Sequence, residues 1–151
     1  LDTNIIISAA LFPNGRTAQA FFKALQPPYQ PVICDYVGNE LHRKFQEKFP
    51  HKVTELEAFL FNALAFITLV PTPEEVIGME NQIRDSKDRP ILRAALNEGV
   101  QLFLTGDKDF LESTVKDPRI ISVPDFLALE SRNYGFTSGH TSSIYRRRGF
   151  F

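Results

Sequence analysis

Two spacings of apolar residues alternate along the chain. Short apolar runs cover residues 30–34, 67–70, 100–105 and 120–123, and Leu1-Asp2 reads as the end of another. Runs of this length, bounded by Pro, Gly or Asp, predict strands. Between them apolar side chains recur every three or four residues. Residues 4–11 turn helical after Asp2 or Thr3 as N-cap. Residues 17–25 carry Ala18, Phe21, Phe22 and Leu25 at helical spacing, and Pro27-Pro28 stops them. The stripe Val37, Leu41 and Phe45 marks a helix over 35–49, with Glu40 beside it. Leu56, Phe59, Leu60 and Leu64 mark another over 53–66.

A weaker pattern, containing Gly78, predicts a helix over 74–84. Asp88 opens the next helix, with Pro90 in its first turn, where a missing N–H costs little. Ile91, Leu92, Ala94, Ala95 and Leu96 make that helix apolar nearly all round, so it should be buried. A last helix is predicted over 124–129. Strands that alternate with helices in this way predict an α/β domain, a parallel sheet covered on both faces, over residues 1–130. Residues 131–151 break the pattern. They are rich in Gly, Ser, Thr and Arg, end near Arg146-Arg147-Arg148, and read as a C-terminal extension. Because Leu1-Asp2 should close a strand, the earlier part of that strand is expected to precede Leu1.

Composition narrows the class. At 151 residues the chain suits one domain with a real core, and 14 Phe with no Trp predict that Phe fills it. No apolar stretch reaches membrane-spanning length and no leader is visible, so no membrane role and a cytoplasmic location are expected. The single Cys34 excludes an internal disulfide and reads as a small buried hydrophobe. His42, His51 and His140 lack zinc spacing. A net charge of −1 gives no overall pull toward nucleic acid, but a chain that clusters carboxylates can be near neutral and still act on it.

The candidate chemistry lies in acidic residues at element boundaries. Asp2 and Asp107 follow predicted strands, Asp88 begins a helix, and Glu40 lies in the first turns of another. Open parallel sheets bind ligands outside the carboxyl ends of their strands. If the first strand neighbours the one ending at Thr105, all four carboxylates meet there. Taken singly each has an ordinary reading: Asp88 as an N-cap, Asp107 and Asp109 as turn residues, Glu40 as a solvated helix residue, Asp2 as a cap. Together they form a pocket in which like charges raise carboxyl pKa values and a hard divalent cation relieves the repulsion. Lys87, Arg89 and Lys108 flank the acids and could contact phosphates.

The segments that carry these acids are Leu1-Asp2-Thr3-Asn4-Ile5-Ile6-Ile7-Ser8-Ala9, Glu40-Leu41, Lys87-Asp88-Arg89-Pro90-Ile91-Leu92-Arg93-Ala94-Ala95 and Leu104-Thr105-Gly106-Asp107-Lys108-Asp109-Phe110-Leu111. In order and spacing they resemble a PIN-domain ribonuclease over about residues 1–130. The resemblance implies a doubly wound three-layer α/β/α fold with a central parallel twisted sheet. It also implies Mg²⁺- or Mn²⁺-dependent cleavage of single-stranded RNA. Asp2, Glu40, Asp88 and Asp107 match the family's four acids and Asp109 a further acidic position. Asn4 and Thr105 match polar positions beside the metal. Asp85 rivals Asp88, but Asp88 stands three residues before Ile91, as the motif requires. The run from Lys87 to Leu111 is most similar to toxin components of toxin–antitoxin systems, which implies a small antitoxin partner and a homodimer.

Two other classes compete with a ribonuclease. One is a PIN-like binding or regulatory module; the presence of all four acids argues against it. The other is a phosphatase forming a phospho-aspartate, which usually wants an Asp two residues after the first. Asn4 stands there instead.

Overall fold

The computed structural model describes residues 1–130, so the extension and its arginines lie outside the described residues. Among the described residues no helix is long and apolar enough to cross a membrane. The elements run α1 (Thr3–Leu11), α2 (Arg16–Ala24), β1 (Val32–Cys34), α3 (Asp35–Lys48), α4 (Val53–Leu64), β2 (Thr68–Val70), α5 (Arg89–Asn97), β3 (Leu102–Leu104), α6 (Lys108–Leu111), β4 (Arg119–Ile121) and α7 (Val123–Ala128). Helix α1 packs on α2, α3 and α4, while α2 packs on α7 and α5 on α3.

The parallel sheet is present in two pieces. β1 pairs with β2, Val32 opposite Thr68, and β3 pairs with β4, Leu102 opposite Arg119, both in parallel. Leu1-Asp2 lies between the pieces. The Leu1 nitrogen donates to the Val32 carbonyl at 2.9 Å, and the Asp2 N–H donates to the Leu104 carbonyl at 3.2 Å. Leu1-Asp2, the end of the expected first strand, is therefore extended and joins the two halves. It and β1 each run straight into a helix, so Asp2, the start of α3 and the end of β3 share one edge.

Local chemistry sets the turns. A side chain at Gly15 would place Cβ 3.1 Å from the Phe12 carbonyl oxygen, so a larger residue there would make the α1–α2 turn shift by a few tenths of an ångström. After α5 the backbone reverses at Gly99, whose φ of 61° suits a residue without Cβ. The core is Phe-rich, as composition predicts: Phe21, Phe45, Phe103, Phe110 and Phe126 are fully buried, as is Cys34. The Phe103 and Phe110 rings lie 4.5 Å apart and pin α6 to β3.

Two elements differ from the sequence reading. The helix expected over 74–84 is only a short 3₁₀ turn, Gly78–Gln82. Helix α6, which the apolar pattern does not predict, forms behind Asp107, whose carboxylate caps it. The first difference has a long-range cause. Arg93 of α5 donates from Nη1 to the Pro73 carbonyl at 2.8 Å, and from Nε and Nη2 to the two Glu80 oxygens at 2.7 and 2.9 Å. The segment is tied to α5 as well as to its own short turn, where Glu80 Oε2 also accepts from the Ile77 N–H at 3.3 Å. Glu80 is 4 % exposed and Arg93 12 %, so this ion pair is shielded from water. The Arg93 hydrogen bonds hold the Glu80 carboxyl below its usual range.

Removing one partner of a buried pair strands the other charge. Arg93→Met is expected to lower unfolding stability by about 3 kcal/mol, measured by urea denaturation at neutral pH. Because the Glu80 pKa is depressed, the pair's contribution should persist until the pH falls below the usual carboxylate range.

Candidate metal centre

Asp2 sits at the centre of the shared edge. It is 3 % exposed, although carboxylates are rarely buried without a partner. It occupies the N-cap position of α1, yet its side chain makes no capping bond. Instead Oδ2 accepts a hydrogen bond from the Thr105 hydroxyl at 2.7 Å. Burial raises the Asp2 pKa; the Thr105 bond opposes the rise, and Asp107 and Glu40 add to it.

Thr105 is fully buried and also accepts from the Asp107 N–H at 2.9 Å. The Asp107 carboxylate in turn accepts from the Asp109 N–H at 2.7 Å. One run of hydrogen bonds thus spaces Asp2, Asp107 and Asp109. Glu40 approaches from α3: its Oε2 accepts from the Thr3 hydroxyl, and Lys44 Nζ lies 3.1 Å from its Oε1. Asn4 reaches this group through Lys44, at 3.4 Å.

Asp88 completes the convergence. It precedes α5 without making a capping bond. Its carboxyl is half-buried and its pKa is raised to about 7, first by burial and then by Asp2, Asp107, Asp85 and Glu40. The four acids chosen from the sequence therefore act on one another. Oxygens of Asp85, Asp88 and Asp109 lie within 4.8 Å of one another, while Asp2, Glu40 and Asp107 stand outside that tighter group. Asp109 is ion-paired with Arg84.

Asp85, set aside on sequence grounds, stands beside Asp88 instead of replacing it. The Asp88 N–H donates to the Asp85 carbonyl at 3.1 Å, so their three-residue spacing is one turn of backbone. That spacing was the available signal. Tyr36 was also missed; burial raises its hydroxyl pKa, and Glu40 and Asp88 add to the rise, which places it beside the acids. Of the flanking cations, Lys87 and Lys108 are exposed, whereas Arg89 donates to the Ile83 carbonyl at 3.0 Å and serves the loop.

The donors are oxygen throughout, a set that suits a hard divalent cation and not zinc. An apolar groove of about 430 Å³, lined by Phe21, Phe22, Leu25, Phe59 and Phe66 among others, holds no ionisable group and takes no part in this chemistry.

A family model described as PIN domain matches residues 1–109, from the buried segment beside β1 through the last of the acids. The chain belongs to the PIN-domain family. PIN domains have an α/β fold, compatible here with helices around short parallel strands. Membership points to a nuclease; such domains are commonly metal-dependent ribonucleases and usually bind divalent metal. No curated protein and no solved structure matches the chain significantly.

The electrostatics of this PIN domain give a pH test. The folded Asp88 pKa, about 7, lies above its ordinary value of 3.8, so across that window the folded state keeps a proton the unfolded chain has lost. Without metal, this group should therefore cost stability as the pH rises through the window. Added Mn²⁺ should raise the melting temperature more at about pH 8 than at about pH 5. Thermal melts with chelator and with Mn²⁺ measure this; equal gains at both pH values would remove Asp88 from the site.

Proposed function

We propose that this PIN domain is a divalent-metal-dependent endoribonuclease that hydrolyses phosphodiester bonds of single-stranded RNA. The observation that carries the reading is Asp88, a half-buried carboxyl whose charge is opposed by Asp2, Glu40, Asp85 and Asp107, drawn from four separate stretches of chain. Such repulsion is relieved by a retained proton or by a bound cation, and a hard divalent cation would relieve it with the carboxylates charged. Asp2, Asp88 and Asp107, with Glu40 and Asp109 at their flanks, would hold Mg²⁺ or Mn²⁺. A metal there supplies an activated water and a positive charge beside the scissile phosphate.

The chain's own groups do the rest. Thr105 fixes the Asp2 carboxylate through one oxygen and keeps it in place as the charge around it changes. The capping bond from the Asp109 N–H holds the Asp107 carboxylate at the start of α6. Lys87 and Lys108, exposed and next in sequence to Asp88 and Asp107, would meet RNA phosphates and position the strand. The likeness of the run from Lys87 to Leu111 to toxin components supports a role as the toxin of a toxin–antitoxin pair. A small antitoxin as inhibitor, a homodimer and a cytoplasmic location belong to this proposal.

Asp2→Asn should lower metal-dependent cleavage by about 100-fold or more, because even the groups behind metal ligands are worth about 10- to 100-fold. The assay is cleavage of a fluorescent single-stranded RNA with Mg²⁺, Mn²⁺ or chelator, with circular dichroism to confirm folding. Full activity in the variant, or wild-type cleavage that persists in chelator, would end the assignment.

A further inference from the structure

Two cations are ion-paired to the acids of the site among the described residues, and they differ in kind. Arg84, on Asp109, is 81 % exposed and can leave at little cost. Lys44, on Glu40, is only 19 % exposed, and Glu40 only 12 %. Lys44 lies one helical turn along α3 from Glu40, so the helix itself sets the pair. Its neighbour Arg43 turns instead to Glu47, at 3.7 Å on an exposed face.

Both Glu40 oxygens are occupied, Oε2 by the Thr3 hydroxyl and Oε1 by Lys44. Lys44 also donates to Asn4 Oδ1. Thr3 and Asn4 directly follow Asp2, so Lys44 ties Glu40 to the first turn of the helix that Asp2 heads.

We infer that Lys44 is the resident counter-cation of this pocket and a positioning residue for Glu40. It holds Glu40 beside Asp2 and, as a fixed positive charge on one of the pocket's carboxylates, lowers the pocket's affinity for a divalent cation. The inference rests on the metal reading above. It makes an unusual demand: loss of Lys44 strengthens metal binding while it weakens cleavage. A residue with a purely structural role would leave metal binding unchanged or weakened.

The test is calorimetric titration of Mn²⁺ into the wild type, Lys44→Met, Lys44→Gln and Lys44→Arg, with RNA cleavage at saturating Mn²⁺ alongside. Removing a poorly screened charge that is paired with one of the proposed ligands should tighten Mn²⁺ binding about tenfold in the Met and Gln variants. Cleavage by both should fall about tenfold or more, as for a displaced group that orients a catalytic one. Lys44→Arg, which keeps the charge, should bind Mn²⁺ as the wild type does. Either neutral variant that folds by circular dichroism suffices. Unchanged or weaker Mn²⁺ binding in it, with wild-type binding intact, overturns this inference alone. No Mn²⁺ binding to the wild type overturns the metal reading and this inference together.

Discussion

A carboxylate cannot stay buried unless something holds it, and here the holder is the hydroxyl of Thr105. The bond from Thr105 to Asp2 joins residues far apart in sequence at the seam between the two halves of the sheet. Everything else at the site is measured from it. Asp107 is placed because its N–H returns to the same hydroxyl, and Asp109 because its N–H closes on Asp107. Glu40 is placed through Thr3, the next residue after Asp2. An isosteric Val at 105 would fill the same space and leave the whole arrangement without its reference point.

Two sets of carboxylates in this small domain show opposite electrostatics. Glu80 is buried against a guanidinium that meets both its oxygens, and its pKa falls. Asp88 is half-buried among other acids, and its pKa rises. The first arrangement is complete and serves to hold the loop after β2 against α5. The second has no cation facing Asp88 among the causes of its shift, and it favours a retained proton or, as proposed above, a bound cation. The same residue types act as glue in one place and, in the proposed reading, as a cation site in another, and only the neighbours distinguish them.

The parts legible in the sequence were those that local periodicity or position along an element can encode. Helices α1 to α5, strands β1 to β4 and the acids at their ends follow from spacing, because Ile5, Ile6 and Ala9, or Val37, Leu41 and Phe45, must face one core. The parts that were not legible depend on contacts across the chain. Nothing near residues 74–84 announces that Arg93 will take the Pro73 carbonyl and the Glu80 carboxylate and leave only a 3₁₀ turn. Nothing near Glu40 announces that Thr3 will donate to it. Asp85 was set aside because a motif asks for one residue, whereas the backbone turn from Asp85 to Asp88 presents two.

The direction of the bonds at Thr105 carries one more consequence. Its hydroxyl has a single hydrogen, and the Asp107 N–H already points at its oxygen, so that hydrogen goes to Asp2 Oδ2. Oδ2 is thereby committed as an acceptor. Oδ2 keeps one further lone pair and Oδ1 has two, so in the proposed metal site Oδ1 is the freer oxygen for a cation. Burial favours the protonated Asp2 carboxyl and a cation would favour the charged one, so in that reading the two oppose each other at the same side chain.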